Sequence, residues 1–362
     1  MAEIKFAVWN MEWLNNLFTG GSNGAPSVFK DDADFADRNK KVTIAERKAD
    51  IALALQHINA DLMVIVEGPN KTEELQLLFD ELAPGAWQCF IQTSKSINGP
   101  GRTDVWSSSQ CVGIAVRVDG NKFDAQTPMR IFDSMDENSG AIFKASEPFW
   151  MDVGTDKIPE WFRFERRPAY AEIKLVDGEI FRVVGLHLKS KGIFSAHEWS
   201  RWWAMADANR ERLLAQCRQF RMAFLDGYLS DDETKDIPLI VCGDINDGPG
   251  FDTSEMKLKA SGVESLMGSV WHPGLVLGNA LFDRLSDKDK ARLNFEDNST
   301  TSFADPIFNH TYHRVWIDHI LYSRNGPDHW VRGADILRQI GDDGPKYYEI
   351  SDHYPVVAHI AL

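Results

Sequence analysis

Several features are missing from this sequence, and each absence argues against one class of protein. No apolar run approaches the ~20 residues needed to span a bilayer, so no transmembrane segment and no stable membrane association are expected. The opening residues MAEIKFAVWN lack the basic and apolar regions of a signal peptide, which favours a cytoplasmic protein. The four cysteines have no C-x-x-C spacing, so we expect reduced, buried thiols, with a Cys89–Cys111 disulfide as the alternative.

Positive charge is also scarce. Lys and Arg number 39 against 54 Asp and Glu, which gives a formal net charge of −15. The field of such a chain repels polyanions, and this argues against a protein that binds nucleic acid through charge alone. It does not exclude an enzyme that meets phosphate through a bound cation, because the ion inverts the local electrostatics.

Strand patterns alternate with helix patterns along the chain, without internal repeats. Helices are expected over 43–59, 72–84 and 198–229, and strands over 4–11, 62–68, 110–118, 169–176, 180–190, 237–246, 316–323 and 355–362. Apolar strands in this number indicate an α/β protein whose sheets are covered by helices. No Gly/Pro/Ser-rich linker divides the chain, so we expect one domain over 1–362, with surface insertions near 121–165 and 250–310.

Polar, ionisable residues recur where these apolar strands meet loops. The motifs are WNME (9–12), VEG (66–68), GLHLKS (185–190), GDIND (243–247), WIDHIL (316–321) and SDHYPV (351–356). Strand ends are where sheet proteins place functional groups, because the strand is rigid and the loop exposes the side chain. Taken singly, Glu67 could be a solvated turn residue and His187 a core histidine. The pairs Gly243-Asp244 and Asp247-Gly248 could be ordinary turns. The complete set is harder to explain as coincidence.

In this order, and with RRPA at 166–169, the motifs resemble the endonuclease/exonuclease/phosphatase superfamily, and in particular its bacterial deoxyribonuclease-like members. The resemblance runs from residue 9 to residue 355. It implies a four-layer α/β sandwich, in which two mostly antiparallel sheets pack face to face beneath outer helices. It also implies a site at one edge of the sandwich.

The resemblance implies a metal site of hard oxygen ligands. Glu67 matches the main metal-binding glutamate, Asn10 an asparagine that supports metal and phosphate, and Glu12 an acidic residue near the metal. Asp352 matches a further acidic residue there. Ligands of this type suit Mg²⁺ or Mn²⁺. Val66 stands where the family usually has glutamine, which is a departure from its pattern.

The resemblance also implies catalytic roles around a scissile phosphate. Asp244 would orient or deprotonate water, and Asn246 would donate a hydrogen bond. Asp244 and Asn246 are two positions apart in the sequence, so on an extended strand their side chains point to the same side. His353 would contact the phosphate and Asp318 would fix its tautomer. His187 would stabilise developing charge or protonate the leaving oxygen.

Basic residues near the motifs are candidates for phosphate binding. In the segment that resembles R-x-P, Arg166 is the better match and Arg167 the second candidate. A guanidinium offers a planar fork suited to phosphate. Lys189 and Lys191 could add point charges, or could simply be solvated loop residues.

The reaction favoured by the sequence is hydrolysis of a phosphodiester by in-line attack of water, with Mg²⁺ or Mn²⁺ as cofactor. DNA, cut internally with little sequence preference, is the expected substrate; an inositol phosphate, phospholipid or other small phosphoester is the alternative. Trp199, Trp202 and Trp203 could stack on bases, although helix core is the preferred interpretation. A catalytically silent binding module is a third reading, and the oligomeric state stays open.

Overall fold

The structure is a computed structural model that describes residues 3–20, 26–37, 41–93, 110–154, 157–193, 198–250, 255–292, 295–304 and 312–362. Its strands are β1 (Glu3–Asn10), β2 (Phe35–Asp37), β3 (Val42–Thr43), β4 (Leu62–Gly68), β5 (Trp87–Gln92), β6 (Cys111–Arg117), β7 (Met129–Ile131), β8 (Phe149–Met151), β9 (Glu160–Phe162), β10 (Ala169–Lys174), β11 (Ile180–His187), β12 (Leu239–Asp244), β13 (Gly278–Asn279), β14 (Thr301–Ala304), β15 (Tyr312–Val315), β16 (Asp318–Tyr322), β17 (Val331–Ile336) and β18 (Val356–Ala361). Its α-helices are α1 (Ile44–Ile58), α2 (Thr72–Leu82), α3 (Ala141–Ser146), α4 (Trp199–Phe220), α5 (Asp226–Tyr228), α6 (Glu255–Leu258), α7 (Gly262–Met267), α8 (Ala280–Asp283), α9 (Asp287–Arg292) and α10 (Tyr347–Ile350).

Two large sheets form the frame of the molecule. The first has the order β17-β18-β1-β4-β6-β5, and the second has the order β13-β16-β12-β11-β10-β7. Within each sheet one central pair is parallel, β1 with β4 and β11 with β12, and the other pairs are antiparallel. The predicted pair of mostly antiparallel sheets is therefore confirmed.

Buried apolar side chains lie in three layers between the sheets and the helices. One cluster joins side chains of both sheets, such as Phe6, Val64, Val183 and Ile240. A second cluster joins the outer face of the first sheet to α1, α2 and α10, and a third joins the second sheet to α3, α4 and α7. This order of helix, sheet, sheet and helix is the predicted four-layer α/β sandwich.

Helix α1 illustrates how local sequence sets these elements. The Thr43 side chain accepts a hydrogen bond from the Glu46 nitrogen (3.2 Å), and the Glu46 carboxylate accepts one from the Thr43 nitrogen (2.9 Å). This reciprocal pair is a capping box, which satisfies otherwise unpaired N–H groups of the first turn. Apolar residues at helical spacing, including Ile51 and Ile58, are fully buried against the first sheet. The helix ends at Asn59, whose φ is 42°.

The helix expected over 198–229 is interrupted. Helix α4 covers Trp199–Phe220, a π-helical turn follows at Arg221–Leu225, and α5 completes the segment. Trp203 is 51% exposed, so the preferred interpretation of this tryptophan as helix core is wrong. The reason is rotational: Trp203 lies on the solvent face of α4, whereas Leu213, Leu214 and Cys217 face the second sheet. The Trp199 side chain lies outside the described residues.

The two long polar stretches also contribute to the second sheet. Strand β7 lies in 121–165 and β13 in 250–310, and they form opposite edges of that sheet. All four cysteines are buried and reduced, as expected. Among the described residues, none of the helices combines the length and apolarity required to cross a membrane.

Candidate active site

The polar strand ends predicted from the sequence meet at one edge of the sandwich. Asn10 is the last residue of β1 and Glu67 is the penultimate residue of β4, and these two strands run parallel. In the second sheet His187 and Asp244 end the parallel strands β11 and β12 and stand directly opposite each other. Since carboxyl ends of parallel strands share an edge, the motifs of both sheets come together there.

Asn10 links the two sheets at this edge. Its Nδ2 donates to Asp244 Oδ2 (3.2 Å) and makes a longer contact with Glu67 Oε1 (3.4 Å). Glu67 itself has a φ of 54° beside an irregularity in the pairing of β4 with β6. Irregularities of this kind redirect a side chain out of the regular alternation of the strand. The local backbone therefore brings the Glu67 carboxylate to Asn10.

Two histidines flank Asp244. His187 Nε2 lies 3.8 Å from Asp244 Oδ2 and 4.0 Å from Glu67 Oε1, and His353 Nε2 lies 3.9 Å from Asp244 Oδ2. On the opposite ring nitrogen, His353 Nδ1 is 2.7 Å from Asp318 Oδ2, and His187 Nδ1 is 3.5 Å from the Gln110 carbonyl oxygen. Both Nδ1 atoms therefore face acceptors, and both Nε2 atoms face the central carboxylate.

The pKa values of these groups are shifted by burial and by crowding. Burial, and then the charge of Asp318, raise the pKa of Asp244 to about 7. Burial and Asp352 raise the pKa of Glu67. Burial, and then Arg166, lower the pKa of His187 well below its usual value. These shifts are typical of functional sites, where burial and like charges are concentrated.

His353 shifts in the opposite direction from His187. Burial alone would lower its pKa, but the carboxylates of Asp318, Asp244 and Asp352 outweigh burial and raise it well above the usual value. His353 is therefore an imidazolium at neutral pH, whereas His187 is neutral. The site thus contains two histidines of different charge beside the same carboxylate.

The donor set suits a hard cation. Glu67 offers an oxygen whose contact with Asn10 is long, and Asp318 Oδ1 is buried and has no hydrogen-bond partner among the described residues. Oxygen atoms of Asp244 and Asp318 and a nitrogen of His353 also lie within 4.8 Å of one another. Because Asp318 already binds His353 Nδ1 at 2.7 Å, we favour that group as a His–Asp pair and Glu67 as the oxygen ligand.

The two other predicted metal residues border this group. The Glu12 main-chain nitrogen donates to Asn10 Oδ1 (3.1 Å), which places Glu12 beside Asn10, and its side chain is half-buried. Asp352 is exposed, yet its charge raises the pKa of Glu67, and its main chain is anchored by Thr301. Both residues therefore lie at the same edge as Glu67.

The structure separates the two arginine candidates. Arg166 is half-buried; its Nη2 donates to the Leu188 carbonyl (2.7 Å), and its Nε is buried and has no partner among the described residues. Arg167 instead donates to the Ser134 carbonyl and to Glu147 (2.9 Å). Arg166, whose charge also acts on His187, is thus the one directed toward the site.

The two lysines after His187 also differ. Lys189 is half-buried, and its Nζ donates to the Ser190 carbonyl (3.2 Å). Lys191 pairs with Asp247 and with Glu255 (2.7 Å), so it joins the loop after β11 to the turn after β12. That pairing supports a structural position for Lys191.

Asn246 differs from the sequence expectation. Strand β12 ends at Asp244, and Asn246 has a φ of 57°, so the extended geometry assumed for the pair is wrong. The Asn246 nitrogen donates to Asp244 Oδ1 (2.9 Å) and its Nδ2 donates to the Leu188 carbonyl (3.2 Å). The cause is the tight turn that follows β12, in which the asparagine supports Asp244 and the adjoining loop.

Sequence reasoning missed several supporting contacts. Ser351 donates through Oγ to the Asn10 carbonyl (2.7 Å) and accepts from the His353 nitrogen (3.3 Å). Trp9 Nε1 donates to the His353 carbonyl (3.0 Å). Both residues stand inside the motifs WNME and SDHYPV, so their position next to matched residues was the available signal.

Comparisons with known proteins were made for the whole chain. No protein-family model matches it, and no curated protein matches it. Similar solved structures include an endonuclease/exonuclease/phosphatase family protein from Bacteroides thetaiotaomicron, with 16% identity, a TM-score of 0.48, and coverage of 99% of this chain and 95% of that chain. The human Nocturnin catalytic domain with bound sulfate has 16% identity, a TM-score of 0.48 and coverage of 99% and 93%. The TDP2 of D. rerio complexed with a single-strand DNA product has 12% identity, a TM-score of 0.45 and coverage of 100% and 100%. The superfamily that the motifs resemble is thus present among the similar structures.

Proposed function

We propose that this chain is a metal-dependent phosphodiester hydrolase, and that DNA cut with little sequence preference is its substrate. The observation that carries the proposal is the convergence of Glu67, Asp244, His187 and His353 at one edge, with Asn10 bridging the two sheets. Carboxylates and histidines packed this closely need a cation or a reaction to account for their burial.

Asp244 is assigned as the general base. It is buried, its pKa is raised to about 7, and a base is most effective when its pKa lies near the working pH. The Asn246 nitrogen fixes Asp244 Oδ1, so Oδ2 is the oxygen that faces Asn10 and both histidines. A water placed at Oδ2 would be held and deprotonated there.

The two histidines are assigned different tasks because their charges differ. His353, protonated and held by Asp318, donates to the phosphate and stabilises its developing negative charge. His187, neutral and directed toward Glu67 and Asp244, accepts a hydrogen bond from the attacking water. This assignment makes His353, rather than His187, the proton donor.

Glu67 and Asn10, with Glu12 and Asp352 beside them, would hold Mg²⁺ or Mn²⁺. When bound, the ion supplies Lewis acidity and neutralises charge on the phosphate. Arg166 adds a guanidinium whose buried Nε has no partner among the described residues and can donate to a phosphate oxygen. Lys189 adds a further positive charge near His187.

The first experiment is nicking of supercoiled plasmid by the purified full chain with Mg²⁺ or Mn²⁺. We expect nicking that EDTA abolishes and that Asp244→Asn lowers by about 100-fold or more, because the amide cannot take a proton. Asp177→Asn is the matched control, since Asp177 lies in the turn at the far end of the β10–β11 pair. Nicking that survives Asp244→Asn would reject the assignment of the base.

A small phosphoester is the second candidate, and the net charge of −15 favours it because a long polyanion is repelled. If plasmid stays intact, release of phosphate or of a phosphorylated headgroup from inositol phosphates and phospholipids is the next measurement. Metal-dependent release that Asp244→Asn abolishes would establish the same chemistry on that substrate. Inertness on all of these substrates would favour a binding module.

A further inference from the structure

Two consecutive residues after β1 have left-handed backbone conformations, and neither is glycine. Glu12 has a φ of 47° and Trp13 a φ of 54°. This region is sparsely populated by residues with a Cβ, and a bulky side chain there is a genuine outlier. Such a conformation persists only where its surroundings fix it, and it is concentrated at functional sites.

The residues of the candidate active site fix this turn directly. The Trp13 nitrogen donates to Glu67 Oε2 (3.0 Å), and the Glu12 nitrogen donates to Asn10 Oδ1 (3.1 Å). Buried Arg47 donates from Nη2 to the carbonyls of Met11 (2.6 Å) and Glu12 (3.4 Å). The left-handed pair is therefore held on one side by the proposed metal ligand and on the other by a buried guanidinium.

This left-handed turn places the Trp13 side chain at the surface. Trp13 is 46% exposed, while the residues that follow it, Leu14 and Leu17, are buried. Core packing therefore does not require the indole, although the backbone at Trp13 is strained. The main chain of Trp13 touches the Glu67 carboxylate, so the indole begins at the rim of the proposed reaction centre.

Among the described residues, acidic side chains outnumber basic ones around Trp13. It lines a cavity together with Glu12, Asp37, Asp50 and Glu349, and the one cation of that lining, Arg47, is bound to main-chain carbonyls. Carboxylates repel a phosphate group but accept hydrogen bonds from amino groups, and an indole face stacks on a flat ring. The chemistry next to the phosphate site thus fits an uncharged aromatic ring that carries amino groups.

We propose that Trp13 is a stacking platform for a nucleobase adjacent to the scissile phosphate. This inference rests on the proposed function, because that function places the phosphate at Glu67. The substrate would then be a nucleic acid or a nucleotide, since an inositol phosphate or phospholipid headgroup has no base to stack. Trp13 acts in binding and specificity, and takes no part in the proton transfers.

The test compares two single-stranded oligonucleotides with the same number of phosphates. One carries bases, and the other carries tetrahydrofuran abasic residues throughout. We expect the wild type to have a lower KM for the strand with bases, and Trp13→Ala to raise that KM by about tenfold, as is typical of losing one base–aromatic stack. The KM for the abasic strand should stay within about twofold, and Trp13→Phe should restore most of the affinity.

Two further variants separate stacking from folding. Trp271→Ala removes a tryptophan that is 86% exposed elsewhere and should change neither KM. Trp13→Gly suits a positive φ, so its Tm should exceed that of Trp13→Ala while its KM for the strand with bases stays as high. If the Trp13 variants weaken both strands equally, the residue only shapes the turn, and the inference is overturned.

A binding measurement keeps the inference distinct from the proposed function. Fluorescence anisotropy of both labelled strands is recorded with Mg²⁺ in the Asp244→Asn background, with and without Trp13→Ala. If the wild type cuts neither strand, yet bases improve binding only when Trp13 is present, the hydrolase proposal fails and the stacking platform stands. If the wild type cuts both strands and Trp13→Ala changes nothing, the hydrolase stands and the platform is rejected. Absence of both cutting and binding would reject both.

Discussion

At the scale of single residues, the charge of His353 depends most strongly on one neighbour, Asp318. The 2.7 Å contact between His353 Nδ1 and Asp318 Oδ2 places a carboxylate against a buried imidazole. Burial would lower the pKa of His353, and the carboxylates around it raise the pKa instead. On the proposed function, Asp318 thus helps to keep a proton donor available at the phosphate.

Asp318→Asn tests this dependence with a side chain of nearly the same shape. We expect kcat to fall by about 100- to 10,000-fold, because His353 loses its charge and its fixed tautomer. Without Asp318 the pKa of His353 falls, so His353 loses its proton at lower pH. The alkaline limb of kcat/KM against pH should therefore move to lower pH. An unchanged alkaline limb with a normal Tm would assign that limb to another group.

At the scale of elements, the end of β12 is shaped by a glycine. Gly243 has a φ of 125°, and a Cβ there would lie 2.0 Å from the Leu186 carbonyl oxygen in the neighbouring strand. Gly243 pairs with Leu186 of β11, and the next pair along these two strands is His187 with Asp244. The close approach of β11 to β12 at the site therefore requires a residue without a side chain.

Gly243→Ala should accordingly destabilise the protein far more than a comparable glycine substitution. Gly178→Ala is the matched control, because Gly178 has a φ of 93° but nothing within 4 Å of its Cβ position. We expect the free energy of unfolding to fall by about 1 kcal/mol for Gly178→Ala and by more than about 3 kcal/mol for Gly243→Ala. Denaturant unfolding of both variants measures the difference. Equal losses would show that the strands separate easily.

At the scale of the whole molecule, two sheets share one core and bring their polar edges together. The chain carries a net charge of −15, so the proposed anionic substrate would approach the site in a repulsive overall field. Attraction would then come from the bound cation and from a few local groups such as Arg166. Such an enzyme gains little affinity from counterions released along a DNA strand.

The salt dependence of the proposed DNA cleavage should reflect this charge. A protein that neutralises 6–10 phosphates with Lys and Arg loses about 10³–10⁵ in affinity between about 50 and 200 mM salt. Here we expect KM for an oligonucleotide to change by less than about tenfold over that range at fixed Mg²⁺. A dinucleotide with a single phosphate serves as the control for salt effects on the chemistry. A steep rise of KM with salt would reveal an extended basic track.

Apolar periodicity in the sequence identified the eight inner strands of the two sheets and helices α1, α2 and α4, because it records which face of each element is buried. The edge strands β5, β7, β13 and β17 were not predicted. Strand β4 matches its predicted span 62–68, and α1 lies within its predicted span 43–59. The motifs at strand ends also identified the polar residues that meet at the edge, since regular strands that run parallel carry their ends to the same place. The prediction for Asn246 was wrong because this residue follows the end of β12, where the extended conformation stops.

The roles that depend on distant partners became apparent only in the folded molecule. Asn10 and Asp244 lie 234 residues apart in the chain and 3.2 Å apart in space. Arg166 and Arg167 are adjacent and chemically identical, yet Ser134 and Glu147 hold one of them away. The left-handed conformations of Asn246 and Trp13 have the same origin. Each is fixed by hydrogen bonds from other elements, and a local pattern carries no information about partners that only folding brings near.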